Sequence, residues 1–188
     1  MADTKINDLD TIAATALADT IPVVDDTGGT PVTKKITVEN LVFGAGEFGH
    51  IYVDDASASQ TISSGTPEKI TAFVSNGASG GGVTADAGND KLTIANTGIY
   101  LVNLSFSFSG DASITWELHV YWNGVEQAGM GVSRKIGSGG DTGAGGISGL
   151  IDVSTGATDI EFYAEPDGAS KAAVFNHLSL STVRVGLT

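Results

Sequence analysis

The sequence predicts an all-β fold, a jelly-roll sandwich with a small N-terminal anchoring segment (a short helix plus a hairpin), and three observations carry that prediction. Two long runs alternate with a period of two. In the first, Tyr100, Val102, Leu104, Phe106 and Phe108 share one face while Asn103, Ser105 and Ser107 share the other. In the second, Ile114, Trp116, Leu118, Val120 and Trp122 alternate with Thr115, Glu117, His119 and Tyr121. Strand signals then recur at short intervals from Phe48 onward, which argues for a sandwich or jelly roll. Finally, 26 glycines among 188 residues suit many tight turns and leave little room for long helices.

Residues 1–45 read as an anchor and 46–188 as a knob domain. Ile6, Leu9, Ile12, Ala13, Ala16 and Leu17 fall at three- and four-residue spacings, predicting a short amphipathic helix with Asn7 or Asp8 as its cap. Alone it is too short to be stable. Ile21 to Val24 and Thr33 to Val38, separated by the turn residues Asp25 to Gly29, predict a hairpin, and Glu39 to Phe43 a helical turn. This segment cannot bury its apolar residues by itself, so it is expected to dock on something. In the knob, strands are predicted near His50 to Asp54, Lys69 to Val74, Lys91 to Ala95, Ile99 to Ser109, Ile114 to Trp122, Val132 to Ile136, Ile147 to Val153, Asp159 to Glu165 and Ala173 to Val185. Asn123-Gly124 is a two-residue hairpin turn, and Gly80-Gly81-Gly82 and Gly137 to Gly146 are expected as exposed loops. No internal repeat is evident, which speaks against a propeller or solenoid.

At 188 residues the chain can bury a sizeable core without a staple. It has no cysteine, so neither a disulfide framework nor a thiolate metal site is available. A formal charge of −13, with the few basic residues mostly scattered, speaks against nucleic acid as a partner. No apolar run is long enough to insert in a membrane and no signal-like segment opens the chain, so synthesis in a host cytoplasm is expected.

Catalytic, metal and cofactor motifs fare poorly. Gly77-Ala78-Ser79-Gly80-Gly81 matches the nucleophile-elbow pattern, but it lies in a Gly/Ser stretch with no predicted strand-turn-helix around it. The glycines at Gly137 to Gly146 lack the Lys-Ser or Lys-Thr that would hold a phosphate, and they read as a mobile or partner-ordered loop. His50, His119 and His177 share no ligand spacing. The acidic pairs Asp54-Asp55, Asp86 with Asp90, and Glu165 with Asp167 follow no calcium-loop spacing and read as solvated turns. Asn103-Leu104-Ser105 matches a glycosylation sequon inside a predicted strand and is set aside. Accordingly no catalytic residue, cofactor or metal is assigned, and the expectation is a non-enzyme. Large residues on what alternation makes the outer faces point to a subunit contact, with His119, Tyr121, Tyr163, Phe175 and His177 as its expected members.

Two stretches resemble known families. Lys91 to Val102, reading Lys-Leu-Thr-Ile-Ala-Asn-Thr-Gly-Ile-Tyr-Leu-Val, resembles a step of the complement globular-head and tumour-necrosis-factor-like jelly rolls. Trp122-Asn123-Gly124, the pair Gly149 to Val153 and Gly156 to Phe162, and the closing Leu178 to Val185 are similar to later strands of that family. The resemblance spans Phe48 to Leu187 and implies a compact homotrimer around a threefold axis. Lys5 to Leu9, Ala18 to Asp25 and Thr33 to Leu41, in that order, resemble the leader of many tailed-bacteriophage structural proteins, which implies a virion component held by its first residues.

Together the resemblances imply a bacteriophage virion surface protein. Only Gly44 to Gly49 separates leader from knob, with no shaft to hold a tip away from the particle. The expectation is therefore a trimeric capsid decoration (cement) protein on the outer surface of the head, bridging subunits of the major capsid protein. Ile6, Leu9, Ile12, Leu17, Ile21, Val23, Ile36 and Val38 are expected to carry the docking. The alternative is a tail fibre or knob that meets a tail or baseplate protein and a host surface receptor.

Overall fold

The computed structural model describes residues 20–25, 32–37, 46–63, 65–139 and 141–186. The chain divides into two compact units, Met1–Ala45 and Gly46–Thr188. In the first, β1 (Thr20–Asp25) and β2 (Val32–Thr37) pair antiparallel, with Ile21 opposite Ile36 and Val23 opposite Lys34. The expected hairpin strands are there. The expected helix, with Ile6, Leu9, Ile12 and Leu17, and also Val38, lie outside the described residues.

The second unit holds β3 (Phe48–Val53), β4 (Gln60–Ile62), β5 (Glu68–Lys69), β6 (Ser75–Asn76), β7 (Val83–Asp86), β8 (Lys91–Ile94), β9 (Gly98–Gly110), β10 (Thr115–Trp122), β11 (Val125–Lys135), β12 (Gly143–Val153), β13 (Thr158–Pro166) and β14 (Lys171–Gly186). They form two antiparallel sheets. One runs β11-β10-β13-β8-β7, with β5 also on β13; the other runs β12-β9-β14-β3-β6, with β4 also on β14. Apart from the β7-β8 and β10-β11 hairpins, successive strands from β7 onward cross from one sheet to the other, and the last strand lies beside β3. That connectivity is a jelly roll, as the sequence predicts.

The alternating runs build the core between the sheets. Tyr100, Val102, Leu104, Phe106 and Phe108 from β9 meet Trp116, Leu118 and Val120 from β10 and Ile160 and Phe162 from β13, all buried. Five aromatic rings interlock there: Phe108 is 5.8 Å from Trp116 and 5.4 Å from Phe175, and Phe106 is 6.0 Å from Phe162. Each such side chain contributes about 1.5–3 kcal/mol by leaving water. Asn123 (φ 47°) and Gly124 (φ 73°) make the turn into β11, the left-handed pair that a two-residue hairpin requires.

Three local expectations are corrected. The run Lys69 to Val74 is not one strand: the chain leaves β5, crosses between the sheets and joins the other as β6. Ile70 and Phe73 are both buried, a spacing no strand can satisfy, and side chains replace the ladder, with the Thr71 amide donating to Gln60 and the Phe73 amide to Asp90. Gly143 to Gly146 are not loop but the start of β12, paired with Phe108 to Ser105. A Cβ on Gly145 would lie 2.7 Å from the Phe106 ring, so glycine lets that ring pack flat on the neighbouring strand. Finally, β14 carries a bulge between Val174 and His177. It changes the parity of the strand, so Phe175 turns into the core while His177 faces out, although plain alternation places both on one side.

Candidate functional site

The two outer sheet faces differ sharply in charge. On the β11-β10-β13-β8-β7 sheet, the outward residues of β10 and β13 are Glu117, His119, Tyr121, Asp159, Glu161, Tyr163 and Glu165. Partners are close at hand: Lys69 meets Glu161 at 2.6 Å, Lys91 meets Asp159 at 2.9 Å, and His119 Nδ1 lies 3.1 Å from Glu126 Oε1. Burial works against the Asp159 carboxylate, but the hydrogen bond from Thr93 and the Lys91 ammonium outweigh it and hold its pKa below the usual range. Tyr121 and Tyr163 stack with centroids 4.0 Å apart, and burial together with nearby glutamates raises both phenols. This is a solvated, ion-paired surface.

The β12-β9-β14-β3-β6 sheet presents the opposite character. Its register lines up Ser148, Asn103, Ser181 and His50 in one row across four strands, and Gly146, Ser105, Ser179 and Tyr52 in the next. A third row is apolar: Leu150, Leu101, Val183 and Phe48, with Leu150 65%, Val183 39% and Phe48 40% exposed. Ile99 and Val185 continue it towards one end of the sheet, Val185 55% exposed. Among the described residues charge enters only at the margins, with Asp152 on β12 and Asp54 just beyond β3, the latter 2.8 Å from His177 Nδ1. In a chain with 22 acidic residues, a whole outward sheet face with an uncharged centre is the surface feature most in need of explanation.

A second feature sits where the knob begins. Glu47 is buried, 5% exposed; it accepts a hydrogen bond from the Tyr100 hydroxyl and forms an ion pair with Arg184. The Arg184 amide donates to the Glu47 carbonyl at 2.8 Å, tying residue 47 to the last strand. Burial and the carboxylate push the Tyr100 phenol well above its ordinary pKa. Gly98 (φ 152°) leaves room for the guanidinium, since a Cβ there would lie 2.5 Å from Arg184 Nε. A third feature is a cleft of about 480 Å³ where the chain leaves β3 and rejoins the sheet as β4, with Phe175 among its lining and Asp54 and Asp55 at its lip.

The five side chains expected at a subunit contact do not come together. His119, Tyr121 and Tyr163 cluster on the charged face, His177 lies on the other sheet, and Phe175 is 1% exposed in the core, where it can touch no partner. Tyr121 is also covered, 8% exposed, so the premise that these rings would otherwise face water fails for both. Asp86 and Asp90 are structural: Asp86 caps the turn Ala87–Asn89, and buried Asp90 accepts from the Phe73 amide. Glu165 accepts from the Gly65 amide at 2.7 Å. Among the described residues no three metal-ligating side chains converge and no helix is long and apolar enough to cross a membrane. The Gly77 to Gly81 stretch passes alongside β3, and no helix follows it.

No family model matches this sequence, and no curated protein matches it either. Solved structures with a similar fold include PRD1 vertex protein P5, 18% identical, with 76% of this chain and 99% of that one aligned at a TM-score of 0.49. Another is the globular domain of zebrafish complement 1qA protein, 10% identical over 76% of this chain and 99% of that one, TM-score 0.49. Murine APRIL is 17% identical over 74% and 99%, TM-score 0.48.

Proposed function

We propose that this chain is a non-enzymatic virion structural protein, a homotrimer whose jelly-roll knobs meet through the uncharged outer face of the β12-β9-β14-β3-β6 sheet and whose N-terminal segment holds it to the particle. The observation that carries self-association through this face is the contrast between the faces; its threefold form follows from the resemblance of residues 48–187 to the complement globular-head and tumour-necrosis-factor-like jelly rolls. A chain of net charge −13 repels its copies, and association is tolerable only where charge is kept out of the contact. The row Leu150, Leu101, Val183 and Phe48 supplies the apolar area, and the serine rows allow close approach. This moves the contact away from His119, Tyr121 and Tyr163.

The virion setting rests on the leader resemblance in residues 5–41. Capsid decoration is the first reading, because leader and knob are joined directly. Docking of Ile21, Val23, Ile36 and the other apolar positions of the leader adds buried area between neighbouring coat subunits, and threefold symmetry multiplies weak contacts through avidity. Quantitative mass spectrometry of purified particles tests it. A copy number in simple proportion to the major coat protein supports decoration; a handful per particle moves the protein to the tail. The cleft behind Asp54 and Asp55 is the observation that favours that second reading, since its volume of about 480 Å³ is that of a small-ligand site.

A further inference from the structure

The uncharged face carries a titratable side chain on β3, one strand in from the β6 edge, and its placement bears on how the contact is controlled; the inference rests on the reading that copies of the chain meet through this face. His50 Nε2 lies 3.0 Å from Ser179 Oγ, and its ring stacks on Tyr52 with centroids 5.1 Å apart. Gly77 closes the other side so tightly that a Cβ there would lie 2.5 Å from Nδ1. β3 surrounds it with Phe48 and Tyr52, β14 with Ser179 and Ser181, and the passing segment with Ser75, Gly77 and Ala78, none of them a carboxylate or a cation. The charges elsewhere are committed or distant. Asp54 is taken by His177 at 2.8 Å, Arg184 pairs with Glu47, and Asp152 stands three strands away on β12.

We propose that His50 makes self-association through this face pH-sensitive, the assembly holding with a neutral imidazole and loosening when the ring is protonated. An imidazolium here meets no counter-charge among the described residues of its own subunit, and threefold symmetry brings three of them into one assembly. Histidine is the side chain whose charge changes between about pH 5 and pH 8. If association takes only the neutral form, acid lowers it by up to tenfold per pH unit for each site, and up to about a thousandfold per unit for three. His177 does not play this part, because the Asp54 carboxylate 2.8 Å from its Nδ1 supplies a counter-charge on its own subunit.

Native mass spectrometry of the full chain at about pH 8 and about pH 5, at constant ionic strength, tests the proposal on the wild type, His50→Gln, His50→Phe and His177→Gln. The expected result is a trimer at the higher pH that dissociates at the lower one for the wild type and His177→Gln, with at least a hundredfold rise in dissociation constant. At least one His50 variant is expected to stay trimeric at both. A wild type trimeric at both pH values overturns the switch and leaves the trimer standing; a wild type monomeric at the higher pH overturns the trimer reading itself. Acid dissociation of both His50 variants, or their failure to assemble at the higher pH, overturns the assignment to His50.

Discussion

Glu47→Ala is expected to destabilise the knob by about 3 kcal/mol, because it leaves a guanidinium and a phenol facing a hole. Removing one partner of a buried ion pair costs roughly 3–5 kcal/mol. Arg184 keeps 21% of its side chain in contact with solvent, so water takes over part of its hydration and the lower end applies. Tyr100, wholly buried, gains no water when its carboxylate acceptor goes and keeps only the Asn96 carbonyl, 3.1 Å away. Tyr100→Phe leaves the ion pair intact and is expected to cost about 1.5–3 kcal/mol, the value of a hydrogen bond to a charged group. For a domain of this size 3 kcal/mol lowers the melting temperature by about 10 °C. Calorimetry at one fixed protein concentration reads this directly, since self-association makes melting concentration-dependent. Arg184→Met added to Glu47→Ala should cost much less than the sum of the single changes, because both remove the same interaction. A Glu47→Ala shift below about 2 °C, or strict additivity in that cycle, would refute the reasoning that the pair secures the start of the knob to its last strand.

Three further outcomes follow from particular contacts. Gly145→Ala puts a methyl 2.7 Å from the Phe106 ring and is expected to cost about 1–3 kcal/mol by overpacking, read as a lower denaturation midpoint and relieved by Phe106→Leu. Asp159→Asn removes a carboxylate whose pKa is lowered in the fold, so the stability it contributes is present above the unfolded value and lost as pH falls through the folded one. At pH near 7 the change should cost about 1 kcal/mol and near pH 2 almost nothing, measured by urea titration at both. Asp90 runs the other way. Burial raises its pKa, so its charged form opposes folding once pH rises above the folded value. Asp90→Asn keeps the acceptor for Phe73 and suits the left-handed φ of 51°, so it is expected to stabilise the knob near pH 7 by about 0.5–1 kcal/mol. A loss of stability there would contradict the assignment of burial as the dominant effect.

How much of this was legible in the sequence depended on whether a residue announces its own neighbours. The runs 98–108 and 115–122 did, because hydropathy alternates with the pleat and a whole strand reports its buried face. Gly143 to Gly146 did not, since a glycine strand has no hydropathy to alternate, and only neighbours outside the run explain it, Ile136 and Arg134 against Gly143 and the Phe106 ring against Gly145. The bulge before His177 was equally silent, and it misplaced Phe175. Glu47 and Arg184 stand 137 positions apart, a pairing no local pattern carries. The uncharged face had a usable signal that went unread. The outward positions of β9 and β14 include Leu101, Asn103, Ser105, Ser107, Ser179, Ser181 and Val183, whereas those of β10 and β13 include Glu117, Glu161 and Glu165. Comparing the outward residues strand by strand, rather than looking for large side chains, would have found it.

In the proposed assembly copies of this chain meet through the row that contains Val183, and sedimentation velocity of the full chain beside Val183→Glu probes that contact. Val183 lies on the outer face, 39% exposed, so a glutamate there leaves the core of the knob untouched. A trimeric wild type and a monomeric variant with an unchanged circular dichroism spectrum are expected; a monomeric wild type, or a variant that remains trimeric, would rule this contact out.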